Sequence, residues 1–193
     1  MIDQILQWDT EVFMFLNGLG TSSWDLFWLI YTSKFTWIPF YALLLYLIFR
    51  QLPLKAFFTT IVVVALMIVV ADQTSNLFKN GFHRLRPCHL AELMETMRLV
   101  KSYCGGQYGF YSAHASNTMA VAFFIGLTLK KRFKYLLYIM IVWAILMSYS
   151  RIYIGVHYPL DVLVGMIFGV ITGTIFYKLN GYVIQKFNFN SKD

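Results

Sequence analysis

Ten residues in a row, Ile61-Val62-Val63-Val64-Ala65-Leu66-Met67-Ile68-Val69-Val70, sit inside an apolar stretch that runs from Leu54 to Lys79. So long a run cannot alternate its faces as a half-buried strand does, and it is long enough to cross the hydrocarbon of a bilayer as a helix. A helix is also the form that satisfies every backbone N–H and C=O within the segment when no water is at hand. His114–Leu129, Tyr135–Tyr153 and Tyr158–Val183 read as further spans. Roughly Ser23–Phe49 reads as another, with Lys34 and Pro39 marking a break or a wet stretch inside it. The prediction is an all-α integral membrane protein, a bundle of five to six helices. Composition agrees: 59% of the 193 residues are hydrophobic and 13% charged, more apolar surface than a soluble domain of this length can bury. At about 20 residues per span, residues 1–193 are read as one membrane domain with no room for a separate soluble one.

The first twenty residues have another pattern. Ile2, Ile5, Leu6, Trp8, Val12, Phe13, Phe15 and Leu16 are mixed with Asp3, Asp9 and Glu11, which predicts an N-terminal amphipathic helix lying at the interface. The start, Met1-Ile2-Asp3-Gln4, lacks the basic head and apolar core of a cleavable signal peptide. Gly165, Gly169 and Gly173 recur every fourth residue on the last span, a small-residue stripe read as close packing within the chain. Between the second and third spans lies a polar loop of residues 80–111, and loops that long in compact chains are usually functional or disordered.

The net charge of +7 comes with no basic run interleaved with aromatics, so nucleic acid is not the expected partner. Arg50, Lys55, the cluster Lys130-Lys131-Arg132-Lys134, Lys178, Lys186 and Lys192 fall at one set of helix ends. By the positive-inside rule that face is cytoplasmic, and the 80–111 loop lies outside. Cys88 and Cys104 are the two cysteines, both in that loop, where an oxidising compartment favours a disulfide between them. Closing a loop of that size contributes about 3 kcal/mol in the chain-entropy model. Trp24, Trp28, Tyr31 and Tyr158 read as an interfacial aromatic belt.

The residues that carry chemistry stand at the opposite helix ends from the lysine clusters. Lys79 closes the second span and Arg86-Pro87 follow; Ser112-Ala113-His114 open the third; Ser150-Arg151 close the fourth; His157 and Asp161 open the fifth. Antiparallel neighbours bring all of these to one face. Charges are costly in hydrocarbon unless paired or functional, and these types suit holding and attacking a phosphate. Arginine offers a planar fork and lysine a compact charge. Ser112 at a helix start can present its hydroxyl and nearby N–H groups to an anion. His157 and Asp161, four apart, share a helix face, so the carboxylate can fix one imidazole nitrogen and leave the other free as a nucleophile. His114 is then the acid for the leaving oxygen and later the base for water. His83 and His89 read as structural or rim residues, and Asp72 and Asn76 as partners of buried polar groups.

These residues closely resemble the motifs of the type 2 phosphatidic acid phosphatase (PAP2) superfamily. Lys-x6-Arg-Pro matches Lys79 to Arg86-Pro87; Pro-Ser-Gly-His is met by Tyr111-Ser112-Ala113-His114; Ser-Arg-x5-His-x3-Asp matches Ser150, Arg151, His157 and Asp161 in full. The resemblance implies that His157 becomes a phosphohistidine, Asp161 orients it, and His114 is the general acid. It makes Lys79, Arg86, Ser112, Ala113 and Arg151 phosphate ligands, with no metal and no cofactor. Two positions depart from the pattern: Tyr111 stands for proline and Ala113 for glycine.

The reading is therefore a lipid phosphatase of the bacterial inner membrane, its site facing the periplasm or exterior, taking a phospholipid or polyprenyl phosphate. Undecaprenyl diphosphate is the first expectation. Phosphatidylglycerophosphate, phosphatidic acid and the 1-phosphate of lipid A are the nearest rivals. A transporter or ion-binding protein is the alternative of another class, but the charges gather at one face rather than at mid-depth.

Overall fold

The computed structural model describes residues 1–189, so Lys192 lies outside the described residues. Among those residues the regular structure is helical: α1 (Ile2–Gly18), α2 (Ser22–Thr32), α3 (Ile38–Gln51), α4 (Leu54–Phe82), a short α5 (Ala91–Met94), α6 (Ala113–Leu129), α7 (Leu136–Tyr153) and α8 (Pro159–Lys186). Helices α4, α7 and α8 are long and apolar enough to cross a bilayer, and α3 and α6 are shorter apolar helices beside them. This is an integral membrane protein. Its exterior shows what lipid demands: Val62, Leu66, Val69, Ile145, Leu163, Ile167 and Ile171 are exposed and apolar.

Helix α6 is the axis of the bundle. Ala115, Ser116, Met119, Ala120, Ala122 and Phe124 are all buried on it. The glycine stripe of α8 explains how close its neighbour comes. A Cβ built on Gly165 would meet the carbonyl oxygen of Ser112 at 2.6 Å, and on Gly169 and Gly173 it would strike the carbonyls of Ser116 and Ala120. The fourfold spacing on α8 thus lies along carbonyls at the same spacing on α6, backbone against backbone, and any side chain there would force the helices apart. Near the far end of the pair, Asn180 of α8 hydrogen-bonds Thr60 of α4 (3.1 Å), so these two helices run antiparallel.

The structure adds detail to two expectations about the first fifty residues. The break expected in Ser23–Phe49 is there: the helix stops at Thr32 and restarts at Ile38, with Pro39 in its first turn. Thr36 Oγ1 and Trp37 Nε1 donate to the carbonyls of Ile30 and Tyr31, both at 2.6 Å, and take up acceptors left free at the end of α2. Helix α1 is amphipathic as expected, with Asp3, Gln7 and Glu11 exposed, but a second stripe of it turns into the chain. Ile2, Ile5, Trp8, Val12 and Phe15 are exposed, while Asp9, Phe13 and Asn17 are buried against the rest of the chain. Asn17 Nδ2 donates to the carbonyls of Arg98, Ile152 and Tyr153, and its Oδ1 accepts from Arg98 N at 2.7 Å.

The 80–111 loop is ordered by the same bonding. Arg86 N donates to Gln107 O (3.1 Å) and Gly109 N to Arg84 O (2.8 Å), tying its two limbs together. Cys88 and Cys104 are joined, with their Cα atoms 5.8 Å apart. Arg98 grips both oxygens of Asp25 on α2 at 2.9 Å, which clamps the loop to the bundle.

Candidate active site

Asp161 sits in the first turn of α8, fully buried, and it has more partners than the sequence indicates. Its Oδ2 faces His157 Nδ1 at 3.3 Å and accepts from Tyr158 N at 3.1 Å; its Oδ1 accepts from Arg84 Nη1 at 2.9 Å. The i,i+4 spacing of His157 and Asp161 therefore does bring the pair together. A carboxylate at Nδ1 leaves His157 Nε2 as the nitrogen with a free lone pair. His157 is 3% exposed. Burial pushes its imidazole down to about 4, against the opposing pull of Asp161, and Arg86 and Arg151 push the same way as burial. At neutral pH the ring is uncharged, as a nucleophile must be.

Arg84 stands two residues before Arg86 in the same loop, but its guanidinium is taken. Nη2 donates to Asp9 Oδ2 at 2.6 Å while Nη1 holds Asp161, and the group lies over the Tyr158 ring, 4.2 Å from its centroid. Asp9 in turn accepts from Leu160 N at 2.8 Å, at the start of α8. The result is a chain of contacts, Asp9–Arg84–Asp161–His157, that begins on the amphipathic helix and ends on the imidazole. Asp9 and Asn17 were missed in the sequence. The signal was available: a polar stripe through Asp9 and Asn17 set against apolar residues is an inward face when the solvent is lipid.

Among the described residues, Lys79, Arg86 and Arg151 are the expected cations that form no ion pair with a carboxylate. Arg86 is held from behind by backbone of the disulfide-closed loop, Nη1 donating to Cys104 O (3.2 Å) and Nε to Tyr108 O (3.3 Å). Its burial pushes the guanidinium below the usual value, with Asp161 pulling it back up. Arg151 Nη1 donates to Thr32 Oγ1 (2.8 Å), and Ser150 Oγ donates to the same oxygen at 3.0 Å. Thr32 lies where α2 stops, and nothing in the sequence marked it. Gly109 is a further residue of this kind: a Cβ there would come within 3.0 Å of Asp161 Oδ2 and 3.1 Å of Arg86 Cγ.

Ser112 is fully buried at the N-cap of α6. Its hydroxyl accepts from Ala115 N at 3.4 Å and its N–H donates to Asp161 O at 3.0 Å, which ties the second motif to the third. Tyr111, in the proline position, stacks on Phe168 with centroids 4.8 Å apart and packs on Phe78, so a ring fills the space and steadies the approach to α6. Ala113 and His114 are partly exposed. His114 Nε2 and Arg151 Nε are buried and without a hydrogen-bond partner. Asp72 accepts from Asn117 at 2.7 Å, as expected of a residue meeting buried polar groups, whereas Asn76 is exposed. His83 is exposed, its ring against that of Tyr108, and His89 contacts Gly105 O at 3.3 Å, both at the rim.

His114 lines two cavities. One, about 470 Å³, lies among α3, α4 and α6 and is walled by Leu44, Ile48, Val64, Ile68 and Val121. The other, about 370 Å³, is polar and is reached by Arg151, Lys34 and Lys101. An amphiphile whose phosphate rests between them has a greasy wall for its chain and a charged one for its head.

Comparison with known proteins follows this geometry. The PAP2 superfamily family model matches residues 52–185. A lipid A 4'-phosphatase of Bacteroides thetaiotaomicron is 35% identical over 179 residues, 92% of this chain and 79% of that protein. An undecaprenyl-diphosphatase of Sulfolobus acidocaldarius is 31% identical over 141 residues, 72% of this chain and 61% of that one. The crystal structure of Aquifex aeolicus LpxE superposes with a TM-score of 0.63 at 28% identity, over 88% of this chain and 94% of that one. A transmembrane PAP2 type phosphatidylglycerolphosphate phosphatase of Bacillus subtilis shares the fold, with a TM-score of 0.70 at 18% identity over 93% and 88% of the two chains.

Proposed function

Because the chain belongs to the PAP2 superfamily of phosphatases and is a membrane lipid phosphatase by its relatives, we propose that it removes a phosphate monoester from a membrane glycolipid of the lipid A kind, through a phosphohistidine on His157. The observation that carries this is that His114, within electrostatic reach of the Asp161-held His157, lines both cavities. His157 Nε2 attacks phosphorus, the bond from phosphorus to the ester oxygen breaks, and His114 gives that oxygen its proton. Water then attacks the phosphohistidine while His114 takes a proton back; the P–N bond breaks and inorganic phosphate leaves. Lys79, Arg86 and Arg151, with the α6 start at Ser112 and Ala113, hold the charge on the phosphoryl oxygens as preorganised donors.

The preference for a glycolipid over undecaprenyl diphosphate, the first expectation from sequence, is supported by the lipid A 4'-phosphatase relative, which spans more of the chain at higher identity than the undecaprenyl-diphosphatase does. The site belongs at the outer rim of the bacterial inner membrane, with the lysine clusters near Arg50, Lys130 and Lys178 on the cytoplasmic side, as the positive-inside rule supports. The test is phosphate release by detergent-purified protein from bisphosphorylated lipid A, undecaprenyl diphosphate and phosphatidylglycerophosphate, each with and without EDTA. Turnover should favour lipid A and survive the chelator. Faster turnover of either rival lipid refutes the substrate reading, and a His157→Ala protein that keeps the wild-type rate refutes the nucleophile.

A further inference from the structure

The second cavity gathers three cationic side chains, Arg151, Lys34 and Lys101. Lys34 reaches it from the turn between α2 and α3, and Lys101 from the 80–111 loop, in a lining that also includes Arg151 and His114. Neither lysine belongs to a family motif or has a carboxylate within ion-pair distance among the described residues. The acids nearby are committed: Asp25 to Arg98, Asp9 and Asp161 to Arg84. Lys101 Nζ lies 4.0 Å from the centroid of the Tyr103 ring, an exposed aromatic that also faces the cavity. Lys34 and Arg151 both lie within electrostatic reach of that same Tyr103. At about 370 Å³ the space is comparable to small-ligand sites, which run from about 300 to 1,000 Å³.

The break at residues 33–37 acquires a purpose here. Had Ser23–Phe49 continued as one helix, Lys34 would sit on a helix flank; instead the chain turns and brings Thr32, Ser33 and Lys34 to the cavity wall.

We propose that this chamber is a headgroup subsite in which Lys34 and Lys101 bind a second anionic group of the substrate, a phosphate or carboxylate carried on its sugar, apart from the phosphoryl group at His157. The inference rests on the glycolipid reading above and adds how the head is recognised. Discrimination is then electrostatic: a lipid with a second anion on its head gains contacts that a lipid with one phosphate lacks.

The test compares Lys34→Gln/Lys101→Gln with wild type on two glycolipids that differ in one respect, the presence of a second phosphate distant from the scissile one. Wild type should show a lower KM for the doubly phosphorylated lipid. In the double variant that advantage should shrink by about tenfold, the order expected for losing charge-assisted hydrogen bonds at a part-exposed site, with kcat for both lipids moving far less. A KM ratio between the two lipids that stays at its wild-type value overturns the subsite while leaving the glycolipid reading standing. Wild type that turns over undecaprenyl diphosphate but neither glycolipid overturns both.

Discussion

Replacing Asp9 by Asn tests whether the amphipathic helix takes part in the chemistry. The side chain is 6% exposed, and the change removes the charge that faces Arg84 at 2.6 Å while leaving the shape nearly intact. Removing one partner of a buried ion pair costs about 3–5 kcal/mol when the other is stranded. Arg84 is not stranded: it keeps Asp161 at 2.9 Å and the Tyr158 ring at 4.2 Å, and it is 16% exposed. We therefore expect about 2–3 kcal/mol, below the cost of a stranded partner, seen as a fall of roughly 5–10 °C in unfolding midpoint for a chain of this size. The larger effect should be on rate. With only one carboxylate to hold it, Arg84 no longer fixes Asp161, and His157 loses its set orientation; misplacing a reacting group by about 1 Å can cost about 100-fold. Asp9 touches no group proposed to hold phosphate, so kcat should fall about 10- to 100-fold with KM nearly constant. Glu11→Gln, an exposed change on the same helix, is the control and should do neither. Loss of stability in Asp9→Asn with kcat unchanged would refute the positioning role, and a matching kcat loss in Glu11→Gln would show that any charge change on α1 suffices.

Gly109→Ala should lower kcat about tenfold with the protein still folded, because the new methyl presses on Asp161 Oδ2 and Arg86 Cγ at about 3 Å; a wild-type rate would mean the loop yields at no cost to the site. The pH dependence follows from His157, whose native value of about 4 lies below the ordinary 6.5. The unfolded chain then binds a proton that the native state refuses, so stability is full above about pH 6.5 and falls as pH drops toward 4, by up to about 3 kcal/mol. Chemical denaturation of wild type and His157→Gln across pH 4 to 7 measures it, and equal slopes for the two proteins would remove His157 as the source.

The membrane class was legible because lipid tolerates so few solutions. The run from Ile61 to Val70 and its companions had to be helices, and the alternation of lysine clusters with motif residues sorted the helix ends between two faces. The motif residues were legible as a group because charged and hydrogen-bonding side chains at apolar helix ends need partners or a task, and three ordered spacings named the task. Even the stripe of Gly165, Gly169 and Gly173 announced close packing, though not that its partner would be the carbonyls of Ser112, Ser116 and Ala120.

What tertiary structure alone decided is which of these groups are spent on one another. Arg84 and Arg86 are the same residue type two positions apart, yet Arg84 closes on Asp9 and Asp161 while Arg86 rests on the carbonyls of Cys104 and Tyr108. Thr32 bracing Arg151, Asp9 reaching across from α1, and Lys34 turned into a cavity depend on contacts between positions a hundred residues or more apart, or on where a helix happens to stop. Local periodicity reports which side of an element is apolar; it contains no information about which distant element that side will meet, and pairing of charges is settled only by that meeting.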